Sequence, residues 1–124
     1  MNANELVRCL RATAEALTPL AESVTAGALT WNGVKYAPGQ QEKRPEPSAL
    51  VWQSILNTLA EMIDRQDGPL SDKQVAYLDR LLFGGMGSLN DLHFDEKASG
   101  DVAKLVNDSL EKQRRALYTS FNAH

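Results

Sequence analysis

The sequence predicts a mainly α protein, one domain over residues 1–124 built as a bundle of four or five helices, with room for a small β-hairpin near residues 29–36. Three observations carry this prediction. Apolar residues recur at helical spacing in four separate segments. Residues that start and stop helices bracket those segments. A chain of 124 residues, 43% hydrophobic and 23% charged, suits one ordinary globular core. At this length roughly two thirds of the unfolded chain's surface is buried without metals or disulfides as staples.

Leu6, Leu10, Ala14 and Leu17 form one stripe of a first helix over Asn4 to Leu17. Cys9, flanked by Val7 and Leu10, reads as a small buried apolar residue of that helix. Thr18-Pro19 then interrupts. Two readings stay open: a new short helix with Thr18 as cap and Pro19 in its first turn, or a kinked continuation through Val24. Leu29 to Tyr36 carries Asn32-Gly33 between β-type residues, the strongest short-range hairpin signal, and sets Trp31 opposite Val34. Pro38 to Pro47 holds three prolines and no large apolar residue, and is expected to be an exposed loop.

The next helix is expected to start at Ser48. Val51, Ile55, Leu59, Met62 and Ile63 form its stripe, and Leu50, Trp52 and Leu56 widen it, which predicts a deep position. Asp67-Gly68-Pro69 stops it. Ser71-Asp72-Lys73-Gln74 is a capping box, and Leu70 and Val75 stand where a hydrophobic staple needs them. Leu78, Leu81 and Leu82 continue that helix to Gly84-Gly85. The last helix is expected from about Ser99 or Gly100 to about Thr119. Val102, Val106, Leu110 and Leu117 face inward, and Lys112, Arg114 and Arg115 trail as helix C-terminal charges.

The charge is uneven. From Glu61 to Glu96 eight acids face three bases, a local charge of −5 in a chain whose total is −3. An acidic surface disfavours nucleic acid and favours a basic protein. No apolar run reaches membrane-spanning length, no secretory leader is expected from the first residues, and one cysteine forms no internal disulfide. A cytoplasmic protein without membrane partner is the expectation.

Gly84-Gly85-Met86-Gly87-Ser88-Leu89-Asn90-Asp91-Leu92, within a Gly-rich connector over 84–96, is the one distinctive stretch. Three glycines in four residues permit positive φ or close backbone approach. A phosphate loop is disfavoured: no lysine follows, the Gly-x-Gly-x-x-Gly pattern is incomplete, and Asp91 and Asp95 would repel the anion. The favoured reading is a tight corner in which Ser88 caps a short turn, Asp91 partners it, Leu89 and Leu92 point inward, and Asn90, Asp91 and His93 are displayed. Asp91-x-His93-x-Asp95 is also the one arrangement that could supply a metal or a general base, although a single segment rarely completes a site. No catalytic residue, metal ligand or cofactor motif is assigned.

The run Leu81 to Leu92 resembles a family of small bacterial proteins whose members carry a helix ending in a closely similar Gly-Gly-Met-Gly-Ser-Leu-Asn-Asp-Leu segment. The likeness covers about a tenth of the chain and says little about activity, because it carries no enzymatic function over to this chain. Small acidic proteins of that character are similar to immunity proteins, which neutralise toxins exchanged between competing bacteria. The resulting expectation is a non-enzymatic inhibitor that meets a basic toxin through Asp64, Asp67, Asn90, Asp91 and Asp95, with Trp31 or Tyr36 as an aromatic anchor. Two other classes remain as alternatives: a small metal-dependent or hydrolytic enzyme centred on Asp91, His93 and Asp95, and a self-associating adaptor subunit.

Overall fold

The structure, a computed structural model, describes residues 2–21, 29–31, 34–36 and 46–122, with the backbone alone for 29–31, 34–36 and 96–99. In chain order the described elements are α1 (Ala3–Ala16), α2 (Thr18–Ala21), β1 (Leu29–Trp31), β2 (Val34–Tyr36), α3 (Pro47–Arg65), α4 (Asp72–Phe83), a 3-10 turn (Leu89–Asp91) and α5 (Glu96–Asn122). The molecule is a helical bundle, and the hairpin is a minor addition to it.

α1 is the central helix, packing against α3 on one side and α5 on another. Its entry is fixed by Asn2, whose side chain accepts from the N–H groups of Asn4 and Glu5. The stripe expected from spacing is the buried one: Leu6, Leu10 and Leu17 are at 0% exposure, with Val7, Cys9 and Ala14 beside them. At Thr18-Pro19 the chain is interrupted at Leu17 and α2 begins at Thr18 itself, so Thr18 is not a cap outside the helix, and residues 22–24 of the kinked alternative lie outside the described residues. Leu17 closes α1, and Leu20 and Ala21 both donate to Leu17 O as α2 begins. Gln53 of α3 stabilises that break, its amide donating to Ala14 O at 2.9 Å and to Thr18 Oγ1 at 3.0 Å. The Ala14 carbonyl in the last turn of α1, which also accepts from Leu17 N at 3.2 Å, thereby gains a second donor from a neighbouring helix.

β1 and β2 pair antiparallel with Leu29 opposite Tyr36 and Trp31 opposite Val34, the register that the Asn-Gly signal implies. Of the expected 38–47 loop, residues 38–45 lie outside the described residues, and Pro47 belongs to α3.

Two expectations for α3 are corrected. The helix starts at Pro47 with Glu46 in the cap position, so Ser48 is inside it. The fixed φ of proline suits a first helical position, where the missing N–H costs nothing. The buried stripe is Ala49, Leu56, Ala60 and Ile63, while Leu50, Val51 and Met62 are exposed. Small residues at 49 and 60 are buried to 0% exposure against the rest of the core, and this rotates the larger Val51–Met62 side outward.

α4 begins as its capping box requires: Ser71 Oγ accepts from Gln74 N at 3.2 Å, and Gln74 Oε1 accepts from Ser71 N at 2.8 Å. It ends at Gly84, where an added Cβ would stand 2.3 Å from the carbonyl oxygen of Arg80. No side chain fits there without moving the last turn. α5 breaks at Gly100, whose φ of 61° and ψ of −139° are not helical. The helix then continues to Asn122, beyond the expected end near Thr119. Arg114 and Arg115 therefore lie within it and are not C-terminal charges, which corrects that reading. Val106, Leu110 and Leu117 are buried as expected, joined by Ala103 and Phe121, whereas Leu105 and Tyr118 are exposed. Among the described residues no helix is long and apolar enough to cross a membrane.

Candidate functional site: a connector clamped to the last helix

The Gly-rich connector between α4 and α5 is organised by its own short hydrogen bonds. Ser88 N donates to Gly85 O at 2.9 Å, and Asp91 N and Leu92 N close the 3-10 turn onto Ser88 O and Leu89 O. Gly85 has φ of 102° and is required there, because a residue with a Cβ is strained in that conformation. Ser88 does not cap the turn with its side chain: its Oγ donates backward to Gly85 O at 2.6 Å. Asp91 does reach back, but to the Gly87 N–H at 3.3 Å rather than to Ser88. The expected partnership is thus shifted by one residue, since the positive-φ bend at Gly87 turns its N–H toward the carboxylate.

Leu89 is at 0% exposure and Leu92 is half-buried, so both pin the corner to the core as expected. Asn90, Asp91, His93 and Asp95 are exposed, and Phe94 between them is buried. Met86 at the tip is 98% exposed.

Two α5 side chains hold this corner in place, and neither was singled out from sequence as a site residue. Arg114 donates through Nη1 to Asn90 O and through Nη2 to Leu92 O, each at 2.7 Å. Burial lowers its pKa from the ordinary arginine value, partly opposed by Glu111 nearby. Asn107 forms a reciprocal pair with the backbone of Phe94: Phe94 N donates to Oδ1 and Nδ2 donates to Phe94 O, both at 2.9 Å. In effect the amide stands where a neighbouring β-strand would stand. The signal for both residues was present in the sequence. Ala103, Asn107, Leu110, Arg114, Leu117 and Phe121 step by four and three along the inner side of α5, so polar groups at 107 and 114 had to find partners inside.

Beside the clamp lies an open groove of about 980 Å³, bounded by Asn90, Asp91 and His93 of the connector and by Asp108, Glu111 and Tyr118 of α5. Tyr118 is set edge-on to Phe83 of α4, with ring centroids 5.2 Å apart. Glu111 is paired with Arg115 at 2.8 Å. Asp91 and Asp108 make no ion pair among the described residues.

The other expected contact residues are placed elsewhere. Asp64 lies in the last turns of α3, 3.8 Å from Arg11 of α1, and Asp67 follows the end of that helix. The acids expected to act together thus come from two places, the end of α3 and the connector beside α5. Asp95 lies just beyond the groove residues. For Trp31 and Tyr36 only the backbone pairing is described, and their side chains lie outside the described residues. Among the described residues no three His, Cys, Asp or Glu side chains converge so as to hold a metal ion, and Asp91, His93 and Asp95 form no such group. No protein-family model, no curated protein and no solved structure matches this chain.

Proposed function

We propose that this is a non-enzymatic binding protein that docks a basic protein partner through the 84–95 connector and the adjoining face of α5, in the manner of an immunity-type inhibitor of a bacterial toxin. One observation carries the reading. Asn90, Asp91 and His93 project into solvent from a backbone that four hydrogen bonds with Arg114 and Asn107, at Asn90, Leu92 and Phe94, hold in one shape. A loop ordered before the encounter avoids most of the entropy cost of ordering on binding. The Asp91 and Asp108 carboxylates, without cationic partners among the described residues, supply charge to steer a basic surface. The small size and net acidity of the chain, which it shares in character with immunity proteins, agree with the same reading, and a cytoplasmic site of action belongs to it.

The test is capture of a partner from the producing bacterium by the immobilised protein. Wild type is expected to retain a basic protein that elutes as salt rises, since exposed charges are screened beyond about 10 Å at 0.1 M. Asp91→Lys with Asp108→Lys should abolish capture while leaving helicity intact. Co-expression with the captured protein should restore host growth for wild type and fail for the double variant. Equal capture by both proteins would sink the proposal.

A further inference from the structure

α4 is held differently from the rest of the bundle. α1 packs against α3 and α5, and α2 joins both, whereas the backbone of α4 closes extensively only on the 3-10 turn that follows it. Of the 12 residues of α4 only Leu78 and Leu82 are buried, against six of the 14 in α1. The seam toward α3 is unfilled: an apolar gap of about 270 Å³ opens beside Met62 and Tyr77, which are 62% and 54% exposed. Side chains that line such a gap forfeit the dispersion contacts that close packing supplies. Among the described residues no ion pair involves α4.

The named contacts of α4 lie at its two ends. At its start Gln66 and Gln74 exchange exposed amide hydrogen bonds at 3.0 and 2.6 Å, and Gln66 also donates to Pro69 O at 3.0 Å. Because Gln74 Oε1 also accepts from Ser71 N, this frame joins the end of α3 to the first turn of α4. At its end Phe83 stands edge-on to Tyr118 and tilted to Phe121, with ring centroids 5.2 and 5.5 Å away. The chain bends through positive φ on either side of the helix, at Gly68 (86°) and Gly85 (102°), before Arg114 fixes it to α5 at Asn90. Hinged elements have this anatomy, a few end positions absorbing the backbone change. We propose that α4 is a strap that opens as one unit between these ends, while α1, α3, α5 and the clamped 90–94 backbone stay folded. A helix of this length is marginal in isolation, so α4 melts as it leaves the bundle and its amides meet solvent. Opening bares Leu78 and Leu82 and withdraws Phe83 from the groove that it lines with Tyr118. That groove is therefore complete only while the strap is closed. The importance of this consequence rests on the reading of the groove as a binding surface; the opening itself does not.

The test is native-state hydrogen exchange of the whole protein, followed by NMR at low urea. Amides in the interior of α4 are expected to exchange at least about tenfold faster than the most protected amides of α1. They should share one opening, with a weaker urea dependence than global unfolding. Phe83→Leu should speed α4 exchange about fivefold, through loss of its ring contacts. Ala49→Gly, at the opposite end of α3, should speed α1 exchange about fivefold and leave the α4 opening unchanged, because α3 stays folded when the strap opens. One rate and one urea dependence for α1 and α4 would overturn the inference. So would exchange in α4 that responds to Ala49→Gly as α1 does, or that frays residue by residue with no shared opening. The free protein suffices for every measurement, so failure of the connector to capture a partner and failure of the strap are separately visible.

Discussion

Asn107 shows how much one side chain decides. It lies in the buried stripe of α5, where a polar amide is costly unless its hydrogen bonds are made, and it makes two with the backbone of Phe94. Asn107→Ala removes both partners at once and leaves a buried N–H and C=O unpaired. The expected cost is about 2–4 kcal/mol, read as a lower urea midpoint. Asn107→Asp should also destabilise, because a carboxylate still accepts from Phe94 N but repels Phe94 O. Arg114 acts on the same backbone with its two terminal nitrogens donating to carbonyl oxygens, and among the described residues no carboxylate pairs with it. Neither role follows from residue type. An arginine three residues from a glutamate reads as a surface charge until the helix is known to continue to Asn122.

At the scale of elements, local rules and tertiary contacts divide the work. The Ser71–Gln74 box was legible because its two hydrogen bonds are between residues three apart, and the structure has both. Ser71→Ala is expected to cost about 1 kcal/mol by loss of the cap. Gln74→Ala should cost more, since Gln74 also binds Gln66, and amide exchange in residues 66–71 should accelerate while that of α1 does not. The α3 stripe was legible only in part. Periodicity showed a helix, but an apolar set running nearly all round it does not say which side faces inward. The contact with α1 chose the side with Ala49 and Ala60, and the Met62 side became surface.

For the whole molecule, the central place of α1 predicts where the fold is most sensitive. Leu10 is at 0% exposure on a helix packed against both α3 and α5. Leu10→Ala should cost about 2–5 kcal/mol, through lost burial and the cavity left behind. Val51→Ala, on the outward side of α3 at 55% exposure, should stay within about 0.5 kcal/mol. Denaturant midpoints for the two variants check the contrast. A comparable loss at Val51 would mean that this side of α3 is covered.

What the sequence by itself determined is what neighbouring residues determine: the α1 stripe, the Ser71 cap, the Gly84 stop, the hairpin register and the inward turn of Leu89. These depend on periods, caps and backbone freedom within a few residues, which any short window displays. The tertiary structure alone decided the facing of α3, the Gln66–Gln74 frame and the clamp of Arg114 and Asn107 on the connector, 13 to 24 residues away. Those follow from which helices meet, and a buried polar group takes its partner from whatever element the fold brings to it.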